Sequence, residues 1–437
     1  MKNTPYAGKL NDIQWLRAIA ALEVVVWHSD LVTKHFSALS VTGLSWYRPL
    51  GGIGVELFFI VSGYVMCLRL PAYKSGAQFM YARLARLAPM YWLFTSLVIV
   101  AYLLHPAWRL NALQISTDSI LRSYLMLPQR DYPLLGVGWS LEIEMIFYAE
   151  LALGLTLVGL LLRRPAKNLN GIMCLLTAAG LTGFAFGTGP VLRTWDYHLA
   201  SPYMLLFAFG WAACTVDRSQ TKAAWVKMFA TAGLVWFVAL TVADPADRYL
   251  LFRMSFAGGV FVLARAMRPL LQRDTVVNRA ASAIGDASYS LYLSHWFVLS
   301  ALGKLLGVLH FSPAVDWTAR SVGFAASILF ALACFHYVED PLDRFLRPRM
   351  RRSKTAVPLK GLSPARSGYF VVPLESEATR HDDPVASCRK HEGRRRNGDK
   401  EQALGSGHGS GRLHRPPSGI LSQGERLPGP RGGYQAP

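Results

Sequence analysis

The sequence predicts an all-α membrane bundle, and three observations carry that prediction. Hydrophobic residues fill 52% of the 437 positions and charged residues only 17%, where soluble domains carry about 25% charge. The apolar residues fall in runs long enough to cross hydrocarbon, each needing roughly 20 residues. Lys and Arg gather between those runs and in the C-terminal region. A chain crossing lipid in segments of this length must be helical, because a helix satisfies its own backbone groups.

Taken in order, hydropathy marks ten candidate spans, at 13–33, 51–68, 87–105, 138–162, 171–187, 200–216, 228–243, 250–267, 284–309 and 319–338. The first is span-length and contains Arg17 and His28, so it is expected to stay as a helix and not to be cleaved as a signal peptide. With the N-terminus inside, the inner segments hold most of the cations, among them Lys2, Lys9, Arg83, Arg86, Arg163, Arg164, Arg351 and Arg352. The positive-inside rule therefore places both termini in the cytoplasm. After about Lys354 the chain turns rich in Gly, Pro, Ser and Arg without apolar periodicity. Such a segment cannot bury enough surface to order itself. The expected organisation is a membrane domain over 9–350 and a disordered basic cytoplasmic tail over 355–437.

The formal charge of +19 raises the possibility of a nucleic-acid partner. No basic stripe interleaved with aromatics supports one, and membrane topology accounts for the cations. The five cysteines are scattered without a CxxC or Cys/His spacing, so neither a disulfide framework nor a metal is expected.

Polar residues inside the apolar runs are the candidates for function, since a charge in hydrocarbon costs about 2.5–3.5 kcal/mol or more. GVGWSLEIEMIFYAE (136–150) sets Glu142, Glu144 and Glu150 before LALGLTLVGLLL (151–162). Ser140, Glu144, Phe147 and Tyr148 share one side of that helix, with Glu142 roughly opposite Glu144. Glu142, nearer the outer interface, is expected to face water or a loop, whereas the deeper Glu144 calls for a buried partner. In NDIQWLRAIAALEVVVWHSD (11–30), Arg17 and His28 return to one helical face about 16 Å apart. An anion holder below a proton-handling imidazole is one reading. Interfacial snorkelling of the arginine is the other. Glu23 points elsewhere and is expected to pair with a charge on another helix.

RPLGGIGVELFFIVSGYVM (48–66) places Glu56 among glycines, either in a site or as a carboxylate at a helix N-terminus. FMYARLARLAPMYW (79–92) puts Arg83 and Arg86 one turn apart, able to clamp a phosphate or merely to anchor the inner face. GDASYSLYLSHWFV (285–298) brings Ser288, Tyr292 and His295 onto one face, and FHYVEDPLDRFLR (335–347) pairs Glu339 with Arg344 or Arg347 at the inner interface.

In order and spacing, LRAIAALEVVVWH, GGIGVELFFIVSGYVM, YARLAR, GWSLEIEMIFY, ASYSLYLSHW and YVEDP resemble the acyltransferase-3 family of bacterial integral-membrane enzymes, over roughly residues 9–350. Glu23, inside a run that is usually apolar, and the tail depart from the pattern. The resemblance implies an O-acyltransferase, usually an O-acetyltransferase, of the bacterial inner membrane acting on surface polysaccharide or a related carbohydrate. It implies acyl-CoA, usually acetyl-CoA, as donor. His28 falls on the catalytic position, acting directly or through an acyl intermediate, with Glu144 orienting or tuning it. Arg83 and Arg86 fall on a site for the donor's phosphates, and Arg17 on a further functional position. Glu56, Ser140, Tyr292 and His295 complete the candidate set. A transporter or flippase of a lipid-linked saccharide is the competing expectation, since the same charges could line a pathway; the inverted repeat common in such proteins is not visible.

Overall fold

A computed structural model describes residues 10–36, 51–105, 115–129, 131–162, 169–186, 195–219, 221–243, 247–309 and 313–346. The tail predicted over 355–437 lies outside the described residues. Helix is the regular element throughout, and no strand occurs among the described residues. In chain order the helices are α1 (Asn11–Phe36), α2 (Ile53–Arg69), α3 (Gly76–Leu104), α4 (Thr117–Leu125), α5 (Trp139–Leu162), α6 (Ile172–Phe186), α7 (Trp195–Leu199), α8 (Met204–Ser219), α9 (Lys222–Val242), α10 (Arg248–Ala266), α11 (Arg268–Leu271), α12 (Val276–Asp286), α13 (Ser288–Leu309), α14 (Pro313–Cys334) and α15 (Asp340–Leu346).

The predicted spans fall on helices, the one at 284–309 crossing the break between α12 and α13, and six helical stretches among the described residues are long and apolar enough to cross a membrane: Ile53–Ala72, Gly76–Leu104, Gly136–Leu161, Lys222–Val242, Arg248–Ala266 and Trp317–Leu346. The other four fall short for visible reasons. Helix α1 carries Asp12, Arg17, Glu23 and Asp30, α13 is diluted by Ser, Tyr and His, and the described parts of α6 and α8 run to 15 and 16 residues. The polar content that weakens the apolar signal of α1 and α13 is the content that builds the site.

Helix α2 lies at the centre, packed on α1, α8 and α10. Lipid gives little hydrophobic drive for helix association, so close backbone packing must do the work. A Cβ at Gly63 would sit 2.2 Å from the Phe207 carbonyl oxygen, and one at Gly210 would sit 1.9 Å from that of Ile60. Only glycine lets α2 and α8 meet this closely. Phe59, Phe147 and Phe207 fill the space beside that seam, the last two rings stacked at 4.0 Å. Leu103, Leu104, Leu160, Leu161, Leu234 and Phe237 remain exposed on the outside of the bundle, as a lipid-facing surface requires.

The helix ends are stapled by charge. At the end holding the N-terminus of α1, Arg265 of α10 pairs with both Asp12 and Asp217, while Tyr64 donates to Asp217 at 2.9 Å. At the opposite end Arg320 of α14 donates to Asp30 at 3.0 Å, both side chains nearly fully buried. Glu23 accepts from the backbone N–H groups of Gly52 and Gly54 at 2.9 and 2.7 Å. Glu23 thereby caps α2, where free N–H groups and the helix dipole favour a carboxylate.

Candidate active site

Helices α1 and α13 lie side by side and bring together two histidines separated by 267 positions. His295 is fully buried and His28 half-buried. Their rings stand 4.9 Å apart at 43°, and Trp296 meets the His28 ring edge-on at 5.2 Å. The partners settle the tautomers. Nδ1 of His295 lies 2.9 Å from the Leu291 carbonyl, which only accepts, so that nitrogen carries the proton. Its Nε2 is then an acceptor, 3.1 Å from His28 Nδ1. His28 Nδ1 also faces the Val24 carbonyl at 2.9 Å, so its proton is shared between those two acceptors. The lone pair of His28 is left on Nε2, which bonds no described residue. That is the arrangement of an oriented base.

A hydroxyl pair lies one turn before His295 on α13. Tyr292 donates to the Val137 carbonyl at 2.6 Å and accepts from Ser140 Oγ at 2.7 Å. Val137 belongs to the tight turn Gly136–Gly138 that opens α5, so this pair fixes the start of α5 against the histidine helix. Ser140 and Tyr292, chosen from separate motifs, thus meet directly.

Deeper along α5, Glu144 accepts from Ser62 Oγ and from the Tyr148 hydroxyl, both at 2.5 Å and both on Oε1. Its Oε2 takes no hydrogen bond from a described residue. Arg17 and Arg83 lie within electrostatic reach of this carboxylate. Arg83 donates to the Tyr73 hydroxyl at 2.6 Å and its guanidinium sits 5.8 and 5.9 Å from the ring centres of Tyr73 and Phe79. Arg17 makes no hydrogen bond or ion pair with a described residue. Two half-buried cations therefore lie near one partly engaged carboxylate. Glu144 itself does not touch His28; the group bonded to His28 is His295.

Arg86 is placed differently from its neighbour. It pairs with Glu339 at 2.7 Å and with Asp343 at 3.7 Å, and Glu339 also accepts from the backbone N–H of Ser290 at 3.1 Å. The π-helical turn Phe335–Glu339 aims Glu339 inward, and such turns occur often at functional sites. The partner expected for Glu339 was Arg344 or Arg347. Arg344 instead bonds Asp340 one turn away at 3.1 Å, and Arg347 lies outside the described residues.

Glu142, expected to face water or a loop, is wholly buried. It accepts from Gln129 at 2.8 Å and faces His198 Nε2 at 3.0 Å, tying the segment after α4 and the short α7 to α5. Glu56 pairs with Arg253 of α10. Sequence reasoning missed Arg265, Arg320 and Arg253 as partners of buried carboxylates, because each reads in sequence as a cation near a span end. Asp12 and Asp30, one near each end of α1, were the available signal.

A family model described as an acyltransferase domain matches residues 10–336. The chain belongs to the acyltransferase-3 family. Its relatives include ExoZ of Rhizobium meliloti, an exopolysaccharide production protein 28% identical over 339 residues, which cover 72% of this chain and 96% of that one. BcsY of Komagataeibacter xylinus, a putative membrane-bound transacylase, is 28% identical over 66% of this chain and 72% of its own. OatA of Listeria monocytogenes, a peptidoglycan O-acetyltransferase, is 24% identical over 78% of this chain and 57% of its own. No solved structure matches. As an acyltransferase-3 member with a bundle of apolar helices, the protein is a membrane enzyme that transfers acyl groups.

Proposed function

We propose that this enzyme moves an acyl group, most simply acetyl, from cytoplasmic acyl-CoA to a hydroxyl of a cell-surface or lipid-linked carbohydrate in the bacterial inner membrane. The observation that carries this reading is the histidine pair, which leaves His28 Nε2 as an unbonded base inside the bundle. The names of ExoZ and OatA, tied to exopolysaccharide production and peptidoglycan O-acetylation, support a carbohydrate acceptor. With both termini cytoplasmic, as the cation distribution argues, Arg17 and Arg83 face the side where acyl-CoA is made.

In this reading Arg17 and Arg83 hold the anionic part of the donor, and the pantetheine arm reaches past Glu144 and Tyr292 toward His28. The acceptor hydroxyl gives its proton to His28 Nε2 as its oxygen bonds to the thioester carbonyl carbon. The resulting imidazolium keeps its Nδ1–H directed at Val24 and His295. The carbon–sulfur bond then breaks and the thiolate takes the proton back from His28. Glu144, held by Ser62 and Tyr148, keeps the two arginines from repelling one another when no donor is bound. Arg86, pinned by Glu339, holds α3 against α13.

The direct test compares surface polysaccharide from cells with and without the gene by mass spectrometry, alongside purified enzyme given labelled acetyl-CoA. Ester-linked acyl groups that disappear with the gene, and label that fails to move in His28→Ala, are the expected results. Identical acylation in both cells would overturn the reading.

A further inference from the structure

Helix α2 presents two working faces. Phe58 turns toward the histidine side and meets Tyr292 edge-on at 5.8 Å. Phe59 turns the other way, onto Tyr203 at 5.1 Å, and on that second side Glu56 meets Arg253. The pair is more than a closed staple. Glu56 is fully buried, yet its Oε2 has no hydrogen-bond partner, and neither has the buried Nε of Arg253. The Arg253 side chain keeps 19% exposure, whereas that of Glu56 keeps none.

Aromatic rings flank the pair. Tyr249, 45% exposed, lies with its ring centre 5.9 Å from the Arg253 guanidinium. Tyr203 stands within electrostatic reach of Arg253 and packs against Trp139 at 5.6 Å. Gly52, at φ +92°, brings the start of α2 under the guanidinium, where a Cβ would fall 2.8 Å from Nη2. Trp139 is followed directly by Ser140, the partner of Tyr292. The two faces are therefore joined through α2 and the start of α5. They also share a depth, since Glu23 joins Gly54 to the α1 turn that carries Val24, the carbonyl partner of His28.

We propose that Glu56 and Arg253, flanked by Tyr249 and Tyr203, form the subsite that holds the acceptor carbohydrate while one of its hydroxyls reaches His28. A sugar hydroxyl both gives and takes hydrogen bonds, and the subsite supplies one of each, an unused carboxylate oxygen and a guanidinium. A ring face suits the apolar C–H face of a sugar, and a few convergent polar groups among aromatics are what a ligand site requires. Burying a carboxylate with bonding capacity unspent is costly unless a ligand uses it. The proposal rests on the acyl-transfer reading above.

The test uses the full-length protein in lipid nanodiscs, radiolabelled acetyl-CoA, and as acceptor probe the de-O-acylated surface polysaccharide of the producing cell, cut to oligosaccharides. Glu56→Gln and Arg253→Lys should raise the acceptor concentration at half-saturation by about tenfold or more. The half-saturating acetyl-CoA should stay within about twofold of the wild-type value. Tyr249→Ala removes only an exposed ring, so it tests the subsite without risk to folding, and a several-fold rise for the acceptor alone is expected. Unmoved acceptor half-saturation in Tyr249→Ala and Arg253→Lys, or donor and acceptor values rising together, would overturn the subsite. If the wild-type enzyme moves no label to the probe, the carbohydrate-acceptor reading itself fails and the subsite falls with it.

Discussion

Arg83 and Arg86 stand one turn apart on a single helix and meet different partners; His28 and His295 stand on different helices and meet each other. Sequence proximity made the first pair look like one device, and nothing local linked the second. The difference lies in what each side chain meets. Arg86 finds Glu339 and Asp343 on the chain that follows α14, so its charge is consumed in joining helices. Arg83 finds a phenol and two aromatic rings, none of which neutralises it. In low dielectric a cation without a bonded counter-ion is costly, and a site that receives an anion is where that cost is recovered. Motif spacing nominates residues; the third helix decides their work.

That contrast can be broken in several places. The largest effect should come from His28→Ala, which removes the base and should cut acyl transfer by about 10²–10⁴-fold. His28→Gln should fail equally, because it keeps polarity without a basic nitrogen. Transfer at near wild-type rate in both variants would dissolve the histidine pair as an active unit. Next in size is His295→Leu, which deletes one of the two acceptors of the His28 Nδ1 proton and loosens the ring, for a loss of up to about 10²-fold. His295→Gln can still accept and should recover part of it, and adding His295→Leu to His28→Ala should cost little more, as residues acting as one unit do. Full additivity in turnover assays would show the two histidines working separately.

Arg83→Ala and Arg17→Ala should each weaken acyl-CoA binding by about tenfold or more, read by equilibrium binding of a non-hydrolysable analogue, with membrane insertion unchanged. Lys at position 83 should restore little if the geometry of the fork matters. Arg86→Met and Glu339→Gln should instead lower thermal stability in detergent, with a coupling of about 0.5–3 kcal/mol in the double-mutant cycle, and leave analogue binding near wild type. Loss of donor binding in Arg86→Met at unchanged stability would restore the two arginines to a joint clamp. The smallest effect is expected from truncation after Lys354: a normally expressed, inserted and active enzyme, checked by the same turnover assay.

Much of the architecture was legible because apolar runs of span length leave a chain few choices in lipid. The expected spans fall on helices, the one at 284–309 being divided between α12 and α13, and Arg17, His28, Tyr292 and His295 are among the residues that interrupt the apolar pattern of α1 and α13. What could not be read was pairing. That Glu23 caps α2 was not legible, since the N–H groups of Gly52 and Gly54 carry no sequence mark of their own. Glu142, expected to meet water or a loop, does meet the loop that carries Gln129 but is sealed from water by it and by His198, brought over it by connecting segments without periodicity. Glu339 found Arg86 in place of a neighbour on its own helix because a π-turn rotates it by a fraction of a turn that no 3.6-residue pattern anticipates. Partners chosen by tertiary packing are invisible to periodicity.

The glycine contact between α2 and α8 has a mechanical consequence. With Gly63 against Phe207 and Gly210 against Ile60, the two backbones touch without side chains between them, and sliding either helix would drive a carbonyl into its neighbour. Helix α2 is thereby locked in register with α8, so that Phe58 and Glu56 keep fixed positions relative to α8. Any breathing of the bundle that admits or releases a substrate must then fall to the helices that close around this pair.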